Sequence, residues 1–508
     1  MSQFIALKLS VAEDQHSAVK RSPLLAGAVQ HDQSQLVSIY YDTRRMVLRR
    51  EGIILRLRKN GPSWMQTVRR QLCAPDGLQR PPEWHEPYLN HFHFGSVDDG
   101  ELRNWLSRDK LRDNLAAIFE TNIRRNSWLV ETGRARILVR LDRGWIASAG
   151  QREAVSELEC QLQQGGVDDL FAFAETLGRT IALPPLLLTK GERGYRLFLG
   201  QAEQAVKAAP LALDPYDTPR SAFRQIALNC LFHLQHNHAG ALRGDDPEYV
   251  HQMRVATRRL KAAMRLFRPV LPESLREELG PPLGQLMQTL GQTRDLDVLM
   301  SETVKPVAEA LPEEPRLTDL TAVIIDRQYR TREKTRLTLQ RPAYGQLLLL
   351  AGRLLNSAPL IDPPTDSTET ENLLAFADRG LHKLLKRVQQ LASAADVDYP
   401  PSLHELRIAI KRLRYGIEFF GPLLPDQVGA RLVRRLATLQ DELGQLNDLA
   451  NAGILLSARA GTDANLREAV SLVAGWHGRR HAALLADIPA RVKLILGLKL
   501  PRLSRHKT

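Results

Sequence analysis

Five cationic or titratable side chains recur at helical spacing in one stretch of the chain. They are His251, Arg254, Arg258, Lys261 and Arg265. At about 100° per residue they fall within roughly 80° of one another, on one face of a helix. Arginine presents a rigid fork to two phosphate oxygens, whereas lysine acts as a compact charge. One cation per helical turn therefore suits a linear polyanion that lies across this face.

The same stretch carries the apolar residues that a packed helix needs. An Asp-Pro pair at 246–247 predicts the start of the helix, and no Pro or Gly interrupts residues 251–268. The opposite face is apolar, with Met253, Leu260, Met264 and Phe267. The pattern predicts a helix that buries one side and presents a cationic stripe on the other.

A second copy of this pattern lies 153 residues further along the chain. Its stripe consists of His404, Arg407, Lys411 and Arg414, and its apolar positions are Leu406, Leu413, Ile417 and Phe420. Arg265 has Glu418 as its counterpart, so the second stripe is one cation shorter. A Leu-Gly-Gln element follows each stripe, at 290–292 and at 443–445. Two landmarks at one offset indicate an internal duplication.

The residues around the stripes admit two interpretations each. A single basic helical face is usually solvated surface, and it is the duplication that favours a binding role. Each stripe histidine is either a protonated phosphate donor or a structural residue that caps or packs between helices. Asp295 and Asp448, which follow the Leu-Gly elements, either orient stripe arginines or form ordinary salt bridges between helices. Metal binding by the histidines is disfavoured because their stripe neighbours are cations.

Composition narrows the class of protein. A chain of 508 residues is expected to form two to four folding units, and a formal charge of +13 with a pI near 9.8 favours polyanionic partners. The three cysteines lie far apart without zinc spacing, which suits a reducing cytosol. We find no signal sequence, no apolar run long enough for a membrane span, and no P-loop or nucleophile elbow. We therefore expect a cytoplasmic protein with no membrane partner.

The first 200 residues predict an antiparallel sheet with a few helices. The predicted strands are Gln35–Tyr41, Ile53–Lys59, Ser63–Arg70, Ser127–Glu131, Arg136–Leu141 and Val155–Leu162. The predicted helices are Leu102–Asp113 and Val167–Leu177. Arg56 and Arg58 alternate with Leu55 and Leu57, so the two arginines share one face of the sheet.

The spacing of apolar residues changes in the second part of the chain. Residues 201–217 form an Ala/Pro-rich linker, and from Thr218 onward the apolar spacing is helical. We predict a first helical half at 218–357, an acidic loop without periodicity at 358–371, and a second helical half at 372–500. The fold class is therefore α+β multidomain.

Residues 1–200 resemble the CYTH family, the triphosphate tunnel metalloenzymes. The resemblance rests on short motifs in a fixed order: Tyr-Tyr-Asp-Thr at 40–43, Leu-Arg-Leu-Arg at 55–58, Trp-Met-Gln-Thr-Val-Arg at 64–69, Asp-Arg-Gly at 142–144, Glu-Leu-Glu at 157–159 and Thr-Lys at 189–190. The resemblance implies an antiparallel β-tunnel in which basic side chains hold a triphosphate and glutamates at the mouth bind a divalent metal for hydrolysis. The matching basic positions are Lys8, Arg56, Arg58, Arg69, Arg125 and Lys190.

The chain departs from the CYTH pattern at the metal-binding positions. The family opens with Glu-x-Glu-x-Lys, whereas residues 4–8 read Phe-Ile-Ala-Leu-Lys. A later strand typically alternates three glutamates; Glu157 and Glu159 remain, and the third position is Gln161. Mg²⁺ or Mn²⁺ requires several hard oxygen ligands, and hydrolysis depends on that metal. We expect a tunnel with no catalytic residues, in which Glu157 and Glu159 are the remaining metal ligands; the cations could equally be a solvated face or structural ion pairs.

Residues 214–495 resemble the CHAD family, the conserved histidine α-helical domain. The resemblance rests on both copies of the stripe and both Leu-Gly elements. It implies two four-helix bundles, related by a pseudo-twofold axis, that enclose a basic groove for inorganic polyphosphate. CYTH followed by CHAD is itself a known pairing, which supports both resemblances.

Together these features predict a polyphosphate-binding protein whose helical part holds the polyanion. Tripolyphosphate or the triphosphate moiety of a nucleotide is the expected tunnel ligand, and polyphosphate granules are an expected location. The alternative is a metal-dependent inorganic triphosphatase, and Mg²⁺ or Mn²⁺ is expected as a cofactor only in that case. Nucleic acid is disfavoured because aromatic residues make up only 6% of the chain and none lies among the stripe cations.

Overall fold

The computed structural model describes residues 5–70, 78–79, 82–357, 360, 372–425 and 427–503. The predicted loop at 358–371 lies outside the described residues except for Leu360, as does position 4 of the first tunnel motif. The chain forms two compact units. Unit 1 consists of Met1–Gln204 and Gln340–Ser357, and unit 2 consists of Ala205–Leu339 and Ala358–Thr508.

The described strands of unit 1 form one antiparallel sheet, as the sequence predicted. The strands are β1 (Ile5–Ser10), β2 (Gln30–Thr43), β3 (Ile53–Asn60), β4 (Ser63–Arg70), β5 (Leu78–Gln79), β6 (Glu83–Pro87), β7 (Leu115–Glu131), β8 (Arg136–Ser148) and β9 (Gln151–Gln164). Their order across the sheet is β5-β1-β9-β8-β7-β2-β3-β4-β6. Every predicted strand lies within one of these, whereas β1, β5 and β6 are additional.

The sheet curls on itself. The charge of Arg69 on β4 lowers the pKa of Lys8 on β1, although burial lowers that pKa more. Five strands separate β1 from β4 in the sheet order. In a flat sheet this separation would be six strand spacings, about 29 Å, too far for such an effect. The curvature therefore brings the two side chains towards one interior, as expected for a tunnel.

Strand register places the tunnel's charged residues on the same face. Lys8 lies opposite Glu159, and Glu159 lies opposite Arg140 on β8. Arg125 on β7 lies opposite Asp142. Directly opposed residues of antiparallel strands point to the same side of the sheet. The ladder thus assembles residues from four strands into one charged row.

Unit 1 also contains short helices and one helix that is distant from the others in the sequence. The helical segments are Glu13–Gln15 (3₁₀), His16–Lys20, Pro23–Ala26, Val47–Arg50, Gly100–Leu106, Asp109–Arg112, Val167–Leu177, Lys190–Phe198 and Pro342–Leu355. Helix Val167–Leu177 was predicted with the same bounds, whereas the predicted helix Leu102–Asp113 is two helices. Phe171 packs with Leu7, Val139 and Leu158 in a core on the outer side of the sheet.

Helix Pro342–Leu355 belongs to unit 1 although its sequence neighbours belong to unit 2. Leu349 is fully buried in the same core as Phe171. The Arg353 Nε donates to Glu175 Oε1 at 2.8 Å. A Cβ atom on Gly345 would meet backbone atoms of Leu183 at 3.0–3.2 Å, so the helix approaches the chain more closely than a side chain would comfortably permit.

The described part of unit 2 is helical. Its first set of long helices is Pro219–His236, Pro247–Leu266, Glu273–Val298 and Pro315–Leu339; its second set is Leu373–Ser393, Pro400–Phe419, Val428–Ala460 and Ala464–Leu496. Within each set, consecutive long helices pack against one another. Shorter segments are His238–Arg243, Arg268–Val270 (3₁₀), Leu299–Val304 (π), Lys305–Ala310 and Gly421–Leu423 (3₁₀). No helix in the described ranges is long and apolar enough to cross a membrane.

The two stripes lie on matching helices, Pro247–Leu266 (the first stripe helix) and Pro400–Phe419 (the second stripe helix). Asp246 caps the first, since its side chain accepts from the Glu248 backbone N–H at 2.8 Å. The predicted apolar faces are buried, with Met253, Leu260, Leu406 and Leu413 at most 1% exposed. Burial of these faces fixes the direction in which the stripes point.

The close approach at Gly345 gives a test of the unit 1 core. Gly345→Val should destabilise unit 1 by about 1–3 kcal/mol, because the added side chain must displace the Leu183 backbone. Hydrogen exchange in helix Val167–Leu177 should accelerate accordingly. Gly475→Val is the matched control, since a Cβ atom at that helical glycine meets nothing within 4 Å. Equal exchange in the two variants would contradict the packing described above.

Candidate functional site

Cations from both stripes line one cavity in unit 2. Its volume is about 170 Å³, and its lining includes Arg254 and Arg258 from the first stripe helix and Arg407 and Lys411 from the second. In the internal duplication Arg254 is equivalent to Arg407, and Arg258 is equivalent to Lys411. The pairing of two stripe helices around one space is what a divided site for a polyanion requires.

Three carboxylates also line this cavity, which we call the stripe cavity. Arg254 Nη2 lies 3.8 Å from Asp295 Oδ1, and Arg407 Nη2 lies 3.8 Å from Asp448 Oδ1. At that distance the pairs attract electrostatically but lack the close contact of a hydrogen bond. Glu302 is the third carboxylate. This separation fits both interpretations of the aspartates, as residues that orient the arginines and as members of salt bridges between helices.

The Leu-Gly elements of the duplication pack beside the stripe arginines. A Cβ atom on Gly291 would lie 3.7 Å from Arg254 Nη1, and one on Gly444 would lie 4.0 Å from Arg407 Nε. A residue without a side chain thus flanks the arginine in both copies. The second landmark therefore lies beside the first in both copies.

Crowding of like charges perturbs the titration of the stripe cavity. Burial, and then the charges of Arg407 and Arg258, lower the pKa of Lys411 to about 7. Burial, and then the charge of Arg294, also lower the pKa of His251. Both shifts favour the uncharged form in the free protein. A bound anion would reverse them.

The other predicted stripe residues do not line the cavity: Lys261, Arg265, His404 and Arg414. His404 is exposed and its Nδ1 lies 2.8 Å from Asn447 Oδ1. Arg414 pairs with Glu418 at 3.3 Å. The structure therefore brings together five of the nine predicted stripe residues, counting His251.

Arg294 is a cavity residue that the sequence did not place in the site. Its position beside Asp295, just after the first Leu-Gly-Gln element, was the only feature of the sequence that pointed to it. In unit 1 the sequence likewise did not point to Arg140 and Arg193. They form ion pairs with Glu159 and Glu157. Arg140 could have been found from strand alternation, because it lies opposite Glu159.

The tunnel of unit 1 is organised by ion pairs. Arg125 makes two hydrogen bonds of 2.7 Å to the Asp142 carboxylate, and Lys190 Nζ lies 3.0 Å from Asp142 Oδ2. Arg56 Nη2 donates to Glu83 Oε1 at 2.6 Å. Although burial opposes ionisation of Asp142, Lys190 and Arg125 together lower its pKa. Three predicted tunnel cations, Arg56, Arg125 and Lys190, thus have a carboxylate oxygen within 3.0 Å. Arg58 instead donates to the Ser38 hydroxyl at 3.1 Å, and burial and then the charge of Arg56 lower its pKa to about 9.

Both remaining glutamates of the metal motif are bound by cations. Arg140 Nη1 donates to Glu159 Oε1 at 2.7 Å, and Lys8 Nζ lies 3.8 Å from the same carboxylate. Burial opposes ionisation of Glu159, yet Lys8 and its other cationic neighbours lower its pKa to about 2. Glu157 pairs with Lys190 and with Arg193.

This donor set does not fit a catalytic Mg²⁺ or Mn²⁺. Ala6 stands where the family has its second glutamate and lies opposite Gln161, so neither side chain supplies a carboxylate. Among the described residues, no group of three His, Cys, Asp or Glu could hold a metal ion. Divalent metals of this kind need several oxygen ligands, and here a metal would have to displace arginine or lysine from each glutamate.

Two families match the chain over consecutive ranges. The CYTH domain matches residues 4–187, and the CHAD domain matches residues 225–457. The crystal structure of the CHAD domain from the plant Ricinus communis is 33% identical, with a TM-score of 0.52, over 60% of this chain and 100% of that one. The chain belongs to the CHAD family. Its CHAD domain follows a CYTH domain, which confirms the architecture predicted from the sequence.

The CYTH domain is homologous to a triphosphatase. The relative is named inorganic triphosphatase, from Haemophilus influenzae, and is 28% identical over 198 residues. The match covers 39% of this CYTH–CHAD chain and 55% of the relative. The chain therefore spans about half the length of that relative.

The lowered pKa of Lys411 predicts proton uptake when an anion binds. Lys411, with a pKa of about 7 in the free CYTH–CHAD chain, is mostly neutral at about pH 8. A bound polyanion raises this pKa, so up to about one proton should be taken up per complex. Binding enthalpies in buffers of different ionisation enthalpy measure this number. Lys411→Arg should abolish most of it, because arginine stays charged; unchanged uptake in that variant would refute the assignment.

Proposed function

We propose that the chain binds inorganic polyphosphate in the stripe cavity, and that the CYTH tunnel is a second phosphate site with little or no turnover. The convergence of Arg254, Arg258, Arg407 and Lys411 on one cavity supports this proposal. All four come from the two copies of one motif. Linear polyphosphate offers closely spaced anionic oxygens, which matches a row of cations on facing helices.

The charge balance of the stripe cavity supports an anionic ligand. Five cations line it, with Arg294 added to the four above, against three carboxylates. Burial lowers the pKa of Arg254 and Arg407 as well as that of Lys411, so the free site carries an electrostatic cost. An anion between the stripe helices would relieve that cost. Its attraction to the cations is strongest where water is partly excluded.

The tunnel has a different balance. Arg56, Arg125 and Lys190 are each within 3.0 Å of a carboxylate oxygen. A triphosphate entering the tunnel would have to compete with those carboxylates for its cations. This competition weakens phosphate binding at these three tunnel cations; Arg58, which donates to the Ser38 hydroxyl instead, is not subject to it.

Polyphosphate is favoured over nucleic acid by the nature of the lining. Of the described residues that line the stripe cavity, none is aromatic. Single-stranded nucleic acids gain about 1–3 kcal/mol per base from stacking on aromatic side chains. A ligand that consists of phosphate alone loses nothing from their absence.

Removing one arginine from each stripe tests the site. Arg254→Ala and Arg407→Ala should each weaken polyphosphate binding by about 10–100-fold, the cost of charge-assisted hydrogen bonds of roughly 1.5–3 kcal/mol. Fluorescence titration with a labelled long-chain polyphosphate measures the affinity, which should also fall steeply with salt.

Arg327→Ala is the matched control, because Arg327 is exposed on helix Pro315–Leu339 and does not line the cavity. It should bind as the wild type does. Unchanged affinity in the Arg254→Ala/Arg407→Ala double variant would exclude the stripe cavity as the site.

A metal-dependent triphosphatase is the second candidate function, favoured by the similarity of the CYTH domain to a triphosphatase. Phosphate release from tripolyphosphate, with Mg²⁺ or Mn²⁺, separates the two. We expect the wild type to release no more phosphate than Lys8→Ala, because the carboxylates needed for the metal are missing or bound by cations. Metal-dependent release that Lys8→Ala removes would show instead that the tunnel is an enzyme.

A further inference from the structure

The two halves of unit 2 contribute differently to one side of the stripe cavity. His251 and Arg294 in the first half correspond to His404 and Asn447 in the second, at the same offset of 153 residues. His251 and Arg294 line the stripe cavity, whereas His404 and Asn447 do not. The rest of the lining, apart from Val255, comes from equivalent pairs such as Asp295 with Asp448, so the extra cation Arg294 lies on one side only.

The histidines of the two halves have different hydrogen-bond partners. His404 Nδ1 lies 2.8 Å from Asn447 Oδ1, so these two side chains form a hydrogen bond with each other. His251 Nδ1 is buried and has no hydrogen-bond partner among the described residues. The residue in the place of Asn447 is Arg294, which is a donor and cannot accept from a ring nitrogen. His251 and Arg294 therefore do not pair with each other as His404 and Asn447 do, although both line the cavity.

A polyphosphate chain carries two kinds of phosphate. Each internal phosphate has one ionised oxygen, whereas a terminal phosphate has a second group that ionises near neutral pH and carries close to two negative charges. A subsite with one more cation and one more hydrogen-bonding nitrogen than its counterpart is suited to the group with the higher charge. We propose that His251 and Arg294 bind the terminal phosphate of polyphosphate, an inference that rests on the proposed function of the stripe cavity.

The direction of the chain follows from the one cation without a counterpart in the lining. Val298, Leu299 and Glu302 line the cavity together with their counterparts Asn451, Ala452 and Leu455, so they are common to both halves. Arg294 lines it and Asn447 does not. The central cations hold the internal phosphates, and His251 with Arg294 sets the direction of the chain.

The test compares polyphosphate with free ends and polyphosphate whose two terminal phosphates are blocked as monoesters, at equal chain length. The full-length wild type should bind the blocked chain about tenfold more weakly, which corresponds to about 1.4 kcal/mol. Arg294→Asn copies the second half and should bind both chains with the same affinity. Asn447→Ala, the equivalent position outside the cavity, is the matched control and should discriminate as the wild type does.

Stoichiometry gives an independent measurement on the unmodified protein. With short chains, and at protein concentrations below the dissociation constant for internal phosphates, the number of protein molecules bound per chain stays constant as the chain lengthens if the ends are bound. It grows with length if internal phosphates are bound. Equal affinity of the wild type for blocked and free chains, or a stoichiometry proportional to length, overturns the terminal subsite but leaves polyphosphate binding intact. No binding of either chain refutes the proposed function itself.

Discussion

The structure of unit 2 depends on holding mutually repelling cations in one partly buried space. Arg254, Arg258, Arg407 and Lys411 would separate if their helices were free to move. A shared apolar core prevents this, because Leu296 and Leu299 of the first half pack with Ala452 and Leu456 of the second directly below the cavity. Hydrophobic burial of this kind contributes on the order of 1.5–3 kcal/mol per large side chain. Burial, and then the charges of Arg407 and Arg258, lower the pKa of Lys411, which is the electrostatic consequence of holding these cations together.

Unit 1 balances only part of the positive charge in its interior. The ladder register places Arg125 opposite Asp142, and these two side chains form a close ion pair. Lys8 lies opposite Glu159 at 3.8 Å, the same separation as in the arginine–aspartate pairs of the stripe cavity. Arg58 donates to the Ser38 hydroxyl, and burial and then the charge of Arg56 lower its pKa to about 9. Both units therefore hold positive charge that their carboxylates balance only in part.

Local periodicity explains what the sequence could predict. The stripe helices, the longer strands and the helix Val167–Leu177 follow from spacing that each segment carries within itself. Strand β1 was not predicted, because its six residues are mostly apolar and buried on both sides, without the alternation of a half-exposed strand. Helix Pro342–Leu355 is apolar over most of its length, which predicts burial but not the surface that buries it. Its packing against unit 1 depends on long-range contacts such as Arg353 with Glu175.

The same limit applies to the candidate site. The stripes could be read from sequence because a helix places every third or fourth residue on one face. Which stripe residues meet depends on how two helices cross, and spacing does not encode that crossing. The two stripe helices contact each other beyond Arg254 and Arg407, where Arg258 Nε donates to Tyr415 Oη at 2.5 Å, and the cavity lies beside the parts that carry those two arginines. Lys261 and Arg265 lie further along the first stripe helix and do not line it. Arg294 enters from a third helix, so no pattern within the stripes could have identified it.

Divergence between the two copies has changed the ends of the second stripe more than its centre. At one end His404 is paired with Asn447, and at the other Arg414 is paired with Glu418, the residue that replaces a cation of the first stripe. Burial raises the pKa of Glu418, which Arg414 partly offsets, so this carboxylate depends on its partner. Arg407 and Lys411 are the cavity cations of the second stripe; Arg414, like its counterpart Lys261, does not line the cavity. The interior of a polyphosphate chain is the same in both directions, and a duplicated fold can bind it symmetrically. Only a difference between the two copies can distinguish one end of the site from the other.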